Sequence, residues 1–198
     1  MLNFTRVKLE ANFMGNLADN PDVRLLNLLI DAYGYCDEIS SDVIYKIIQE
    51  KTNKFSNHKH PKAPYFQAIT PKLHSDISEA KYNALMEKSS NDGVAEAQYQ
   101  HACRLYEMGK HNSAVKLYKV AADQGHPESQ YCYGIDAYNG VGVDENKEVG
   151  LEYIELAAGQ LYDWALEWLI QFYKNDVSLD GIKKFQKYSN MLIWSQNK

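Results

Sequence analysis

Ala95-Glu96-Ala97-Gln98-Tyr99 returns as Pro127-Glu128-Ser129-Gln130-Tyr131, an offset of 32. A second block repeats at an offset of 36: Ser113-Ala114-Val115-Lys116-Leu117-Tyr118-Lys119-Val120-Ala121-Ala122 becomes Val149-Gly150-Leu151-Glu152-Tyr153-Ile154-Glu155-Leu156-Ala157-Ala158. The extra four residues fall in one place. The first copy turns through Met108-Gly109-Lys110-His111, the second through the longer Asn139-Gly140-Val141-Gly142-Val143-Asp144. One register accounts for both blocks, and self-similarity at such a period marks a repeat architecture.

Each copy reads as two helices joined by a glycine turn. Ala95, Tyr99, Ala102 and Tyr106 recur at steps of three and four, one face of a helix, as do Tyr131, Gly134 and Tyr138 in the next copy. Small residues (Ala97, Ala102, Ser129, Gly134) leave room for a neighbouring helix, and the tyrosines fill the remaining volume. The second helix ends in Ala121-Ala122 or Ala157-Ala158. Gly125 then suits a left-handed C-terminal turn, and Pro127 the first turn of the next helix, where a missing N–H removes no bond.

This pattern resembles the Sel1-like repeat, a relative of the tetratricopeptide repeat, over about residues 79–174. Gly140-Val141-Gly142-Val143-Asp144-Glu145-Asn146-Lys147 matches the family's turn, and Ala121-Ala122-Asp123-Gln124-Gly125 its exit. Copy one lacks the Gly-x-Gly turn, and Gly150 stands where the family has alanine. A third copy keeps Ala165, Trp164 and Trp168 but loses its glycines. The resemblance implies an all-α fold, an α-α superhelix or short solenoid of antiparallel helix pairs.

Outward from the two good copies, Asp180, Ile182, Phe185, Tyr188, Leu192 and Ile193 predict a closing helix over 180–195, as solenoid ends require. Glu79 to Met86 reads as the second helix of a half-repeat, whose exit Ser89-Ser90-Asn91-Asp92-Gly93 aligns with Ala121 to Gly125. Asn20-Pro21-Asp22 and Ser40-Ser41-Asp42 read as helix starts, leading into Val23, Leu26, Leu29, Ile30 and Tyr33 and into Val43, Ile44, Ile47 and Ile48. Asn57 to Pro64 is polar and proline-bearing, and Thr70-Pro71 is a further breaker. The expected organisation is a helical N-terminal cap over 1–57, an irregular linker over 58–78, and the repeat array with its capping helix over 79–198.

Composition bounds the function. Charged residues make up 24% and hydrophobic residues 45% of the 198, a globular balance. No apolar run approaches the roughly 18 residues of a membrane span, and the first fifteen residues do not read as a secretory signal, so a cytoplasmic location is expected. Cys36, Cys103 and Cys132 show no CxxC spacing and read as small buried groups. The net charge of −5 is uneven: residues 1–90 carry eleven basic and eleven acidic side chains, residues 91–198 ten and fifteen. An acidic surface repels phosphate backbones and favours a basic protein partner over nucleic acid.

Candidate chemistry is sparse. His58, His60 and His74 lack the convergent ligands a zinc site needs, so they read as solvated. His101 and Cys103 are two apart on one helix and point away from each other; His101 reads as a hydrogen-bonded core histidine. Asp144, Glu145 and Glu148 lack the alternating oxygens of a calcium loop, and Asp144 reads as the start of the next helix. With no phosphate loop or nucleophile motif, neither catalysis, nor a metal, nor a cofactor is expected.

First helices of stacked pairs line a concave binding surface in solenoids. The unmatched positions there are Gln100, Arg104 and Glu107 in copy one, Cys132, Asp136 and Asn139 in copy two, and Trp168, Gln171 and Asn175 in the third. Gln100, Arg104, Glu107, Asp136, Asn139, Trp168 and Gln171 are therefore the expected protein-binding residues. Repeats of this type occur in bacterial signalling, secretion and effector–immunity systems. The resemblance thus implies a non-catalytic scaffold, either an immunity protein neutralising a secreted toxin or an adaptor in a signalling or secretion pathway.

Overall fold

The computed structural model describes residues 45–53, 62–73 and 77–196, and every regular element among them is helical. The fold is the all-α, superhelical solenoid type expected from the repeat. In chain order the helices are α1 (Ala63–Leu73), α2 (Glu79–Asn91), α3 (Ala95–Glu107), α4 (His111–Asp123), α5 (Pro127–Asn139), α6 (Lys147–Gly159), α7 (Asp163–Tyr173) and α8 (Leu179–Gln196). Residues 45–53 are helical too, with Ile48 fully buried and Ile47 exposed. The helix starts and apolar faces expected upstream of residue 45 lie outside the described residues.

Helix starts carry the period. First helices begin at 63, 95, 127 and 163, steps of 32, 32 and 36; second helices begin at 79, 111, 147 and 179. The described residues therefore hold four helix pairs, and the expected half-repeat is a whole one. Its first helix, α1, occupies part of the 58–78 segment expected to be irregular, and Thr70-Pro71 lies inside it. Pro71 forgoes one backbone bond, and because α1 ends two residues later, at Leu73, any kink there displaces little of the helix. Pro64 falls in the first turn, which proline suits.

The chain divides into two compact units between His101 and Ala102. In the upstream one, α1 packs on α2 around Ala68 and Met86, with Val94 and Ala97 at the start of α3 closing the cluster. Ser78 caps α2 by accepting from the Lys81 N–H, and Gly93 takes φ 87° at its exit.

The downstream unit shows why these sequences pair antiparallel. Tyr106 packs edge-on against His111, and the Tyr118 hydroxyl meets the Cys103 sulfur, joining α3 to α4. Across α5 and α6, Gly134 faces Ile154 and Gly150 faces Tyr138. Asp163 accepts from Ser195, and Tyr173 from Lys184, joining α7 to α8. Second helices form one row: the Tyr153 hydroxyl of α6 donates to Asp123 of α4, and Lys184 of α8 pairs with Glu155 of α6 at 3.5 Å. First helices α5 and α7 form the other row, through aromatic contacts described below. Between them lies a core of Ile154, Ala157, Ala158, Ala165, Leu166, Leu169, Tyr173 and Tyr188.

Two repeat-level devices explain the motif. Gln98 donates to the Ser90 carbonyl and Gln130 to the Ala122 carbonyl, each at 3.3 Å, so the glutamine of each opening block adds a second bond to a carbonyl at the previous helix end that also accepts from the exit glycine N–H. Gly125 takes φ 89°, the left-handed exit expected of it. Thirty-six residues on, Leu161 holds that same conformation at φ 63°. The second copy has lost the exit glycine but kept the turn. The α6 start differs from expectation: Asn146, not Asp144, caps it, accepting from the Val149 N–H at 3.0 Å. Asp144 is two residues too early for its carboxyl to serve that N–H.

Candidate functional site

α3, α5 and α7 bring their sequence-predicted residues to quite different settings. Arg104 and Glu107 are exposed on α3, one turn apart. Gln100 is exposed as well, in the upstream unit. Asn139 is exposed at the end of α5, its side-chain amide donating to the Ile135 carbonyl at 2.9 Å. Gln171 is exposed on α7, as is Asn175 just beyond it, and Trp168 is half-buried against the core.

Trp168 does not stand alone. It stacks on Phe172 one turn along α7, with ring centroids 5.2 Å apart and planes 12° from parallel. Tyr138 of α5 sets its ring edge-on to both, at 5.3 Å and 6.2 Å. Phe172 remains 41% exposed, so the cluster reaches the surface between Asn139 and Gln171. Lys147 lies over the Tyr138 ring at 5.8 Å. Neither Tyr138 nor Phe172 was expected here. Phe172 was legible, because the 36-residue offset that relates Cys132 to Trp168 relates Asp136 to Phe172 and not to Gln171.

Asp136 departs from the expected exposed contact. It is 4% exposed, and its Oδ2 atom has no hydrogen-bond partner. Burial pushes its carboxyl from the ordinary 3.8 up to about 7, because the charged form has lost water and gained nothing in exchange. The physical reason for its burial is its neighbourhood: Tyr133, Gly134 and Ala137 on the same helix are all buried. Tyr106, 37% exposed, is raised first by its own burial and then by the Asp136 charge.

Cys132, one turn before Asp136, is half-buried, and burial pushes its thiol up to about 12, with Cys103 and Asp136 adding to the rise. Cys103 is also half-buried and unbridged. The Cys132 thiol is therefore protonated and inert at neutral pH. His101 differs from the hydrogen-bonded core histidine expected: its Nδ1 is buried without a partner. His58, His60 and His74 lie outside the described residues. Among those described, no group of three or more histidine, cysteine or acidic side chains is placed to hold a metal, and no helix is long and apolar enough to cross a membrane.

No family model matches the chain, and no curated protein does. Solved structures do. A Sel1 repeat protein from Oxalobacter formigenes superposes with a TM-score of 0.57 at 20% identity, over 77% of this chain and 50% of its own. A protective antigen displaying the Sel1-like repeat fold, from uropathogenic Escherichia coli, gives 0.61 at 19% identity, over 96% of this chain and 41% of its own. The chain thus spans half or less of the length of these two. The immunity protein PA5088 from Pseudomonas aeruginosa gives 0.54 at 17% identity, over 93% of this chain and 78% of its own. The fold is that of the Sel1-like repeat.

Proposed function

We propose that this chain is a non-catalytic binding protein that holds a polypeptide partner along its row of first helices, and that the partner is a toxin or effector it neutralises. The carrying observation is the Tyr138, Trp168 and Phe172 cluster, which reaches the surface between exposed polar residues. An aromatic centre inside a polar rim is the composition of binding hot spots. A protein core needs no stacked pair left 41% exposed at Phe172. The likeness to an immunity protein over 93% of this chain supports the toxin reading over an adaptor. The acidic second half favours a basic partner.

Photo-crosslinking in the native host tests both parts. A benzophenone amino acid at Gln171 or Asn139 is expected to capture one defined protein, and one at Glu152, exposed on α6 in the other row, is not. Capture from Glu152 alone would place the partner elsewhere. If the captured protein arrests growth when expressed without this chain, the immunity role stands; a harmless one returns the assignment to an adaptor.

A further inference from the structure

α7 carries two apolar faces. Ala165, Leu166, Leu169 and Tyr173 are buried in the core. Trp164, Trp168 and Phe172 recur every four residues on another face and form one ridge, inclined to the helix axis. Trp164 lies beyond the cluster described above and is 65% exposed, more than any other aromatic side chain among the described residues; Phe172 is 41% exposed. The ridge is about 12 Å long at a rise of about 1.5 Å per residue. Glu167 and Lys174 stand along one flank of it, both exposed and in no ion pair among the described residues. We propose that the partner element seated here is an amphipathic α-helix laid along α7, with an aliphatic stripe on the aromatic ridge, a basic residue facing Glu167 and an acidic one facing Lys174.

An extended segment fits this surface worse. α7 bonds its own backbone groups internally, and the ridge adds two indole donors and no acceptor. A strand pressed on it would bury N–H and C=O groups with nothing to pair them. A helix arrives with its backbone bonds made and needs only shape and charge from the surface. A row of side chains four apart is also what one helix seats in the groove of another. The flank charges add a constraint. Glu167 and Lys174 are about two turns apart, so a helix of uniform charge would be repelled at one end.

The inference rests on the docking reading above, and mapped crosslinks separate the two. Trp164 and Gln171 lie about 10 Å apart along α7. The full chain, with benzophenone at one or the other, is crosslinked in the native host, and the captured residues of the partner are located by mass spectrometry. A docked helix should give sites stepping by three or four from each position, the two sets about seven residues apart. An extended segment would place the sets about three residues apart, and a patch of several segments would scatter them; either result overturns the helix and leaves the docking reading standing. No capture from either position sinks the docking reading, and the helix with it. Trp164→Ala should weaken the complex with the captured protein about tenfold, with its unfolding midpoint unchanged because Trp164 lies outside the core. Undiminished binding would remove the ridge from the site. Glu167→Lys should weaken binding severalfold, more at low salt than at high; indifference to it would overturn the charge pattern assigned to the helix.

Discussion

At the level of single residues, Asp136 sets a pH dependence whose sign follows from its raised carboxyl. A group whose folded-state pKa lies above its unfolded value binds its proton more tightly when folded, so stability falls as pH rises between the two values. Here the window runs from the ordinary 3.8 to about 7, with a limiting slope of about 1.4 kcal/mol per pH unit. Asp136→Asn lacks that titration. Urea unfolding should therefore show the Asn variant gaining on the native chain from about pH 4 to about pH 7, with the difference level above that. A difference independent of pH would mean that the carboxyl is solvated. Gly125 provides a second residue-level test. Its φ is 89° and no atom lies within 4 Å of a Cβ built there, so Gly125→Ala isolates backbone strain at about 1–2 kcal/mol. Leu161 already bears that strain in the equivalent turn.

Between elements, α5 and α6 touch almost backbone to backbone. A Cβ on Gly150 would lie 2.6 Å from the Tyr138 nitrogen and 2.7 Å from the Gly134 carbonyl oxygen, atoms that cannot rotate away. Gly150→Ala should gain up to about 1 kcal/mol of helix propensity and lose more, about 1–3 kcal/mol, because the two helices must separate. Gly159→Ala, at the end of the same helix with nothing within 4 Å, should be neutral or slightly stabilising. Thermal unfolding of the pair decides whether contact or propensity governs. The need for small residues at Gly134 was legible from the sequence, since only a close neighbour explains a glycine in mid-helix. α3 to α6 were legible for a similar reason: glutamines (Gln98, Gln130) and paired alanines (Ala121-Ala122, Ala157-Ala158) recur in both of these copies and serve the same backbone and packing requirements. α1 was not, because Pro64 and Pro71 signal breaks while tolerating a short helix that begins just before one and ends just after the other. The candidate surface was legible only in part. Periodicity places Asp136 on a face of α5 but does not say what covers that face. Taking Gln171 for Phe172 was a slip of one residue, which rotates a helical position by about 100°.

For the whole molecule, the relevant quantity is the net charge of −5, all of it arising in residues 91–198. A field of that sign acts over roughly a Debye length, about 10 Å at 0.1 M salt, so under the proposed function it would steer a basic partner before any contact forms. On the same proposal the aromatic cluster would act only after contact, by excluding water and holding the complex. Steering governs the association rate and the buried contacts govern dissociation, so the two contributions separate in one kinetic experiment on the captured partner. Raising salt from about 0.05 M to about 0.5 M should slow association severalfold and leave dissociation nearly unchanged. Phe172→Ala should do the reverse, speeding dissociation about tenfold or more with little change in association. Phe172 is the better choice than Trp168 because it is more exposed, and truncating it disturbs the core less. Equal salt sensitivity of both rates would instead mean that ion pairs, not the Trp168 and Phe172 stack, hold the complex together, and would move the weight of recognition from α7 to the charged residues of α3 and α5.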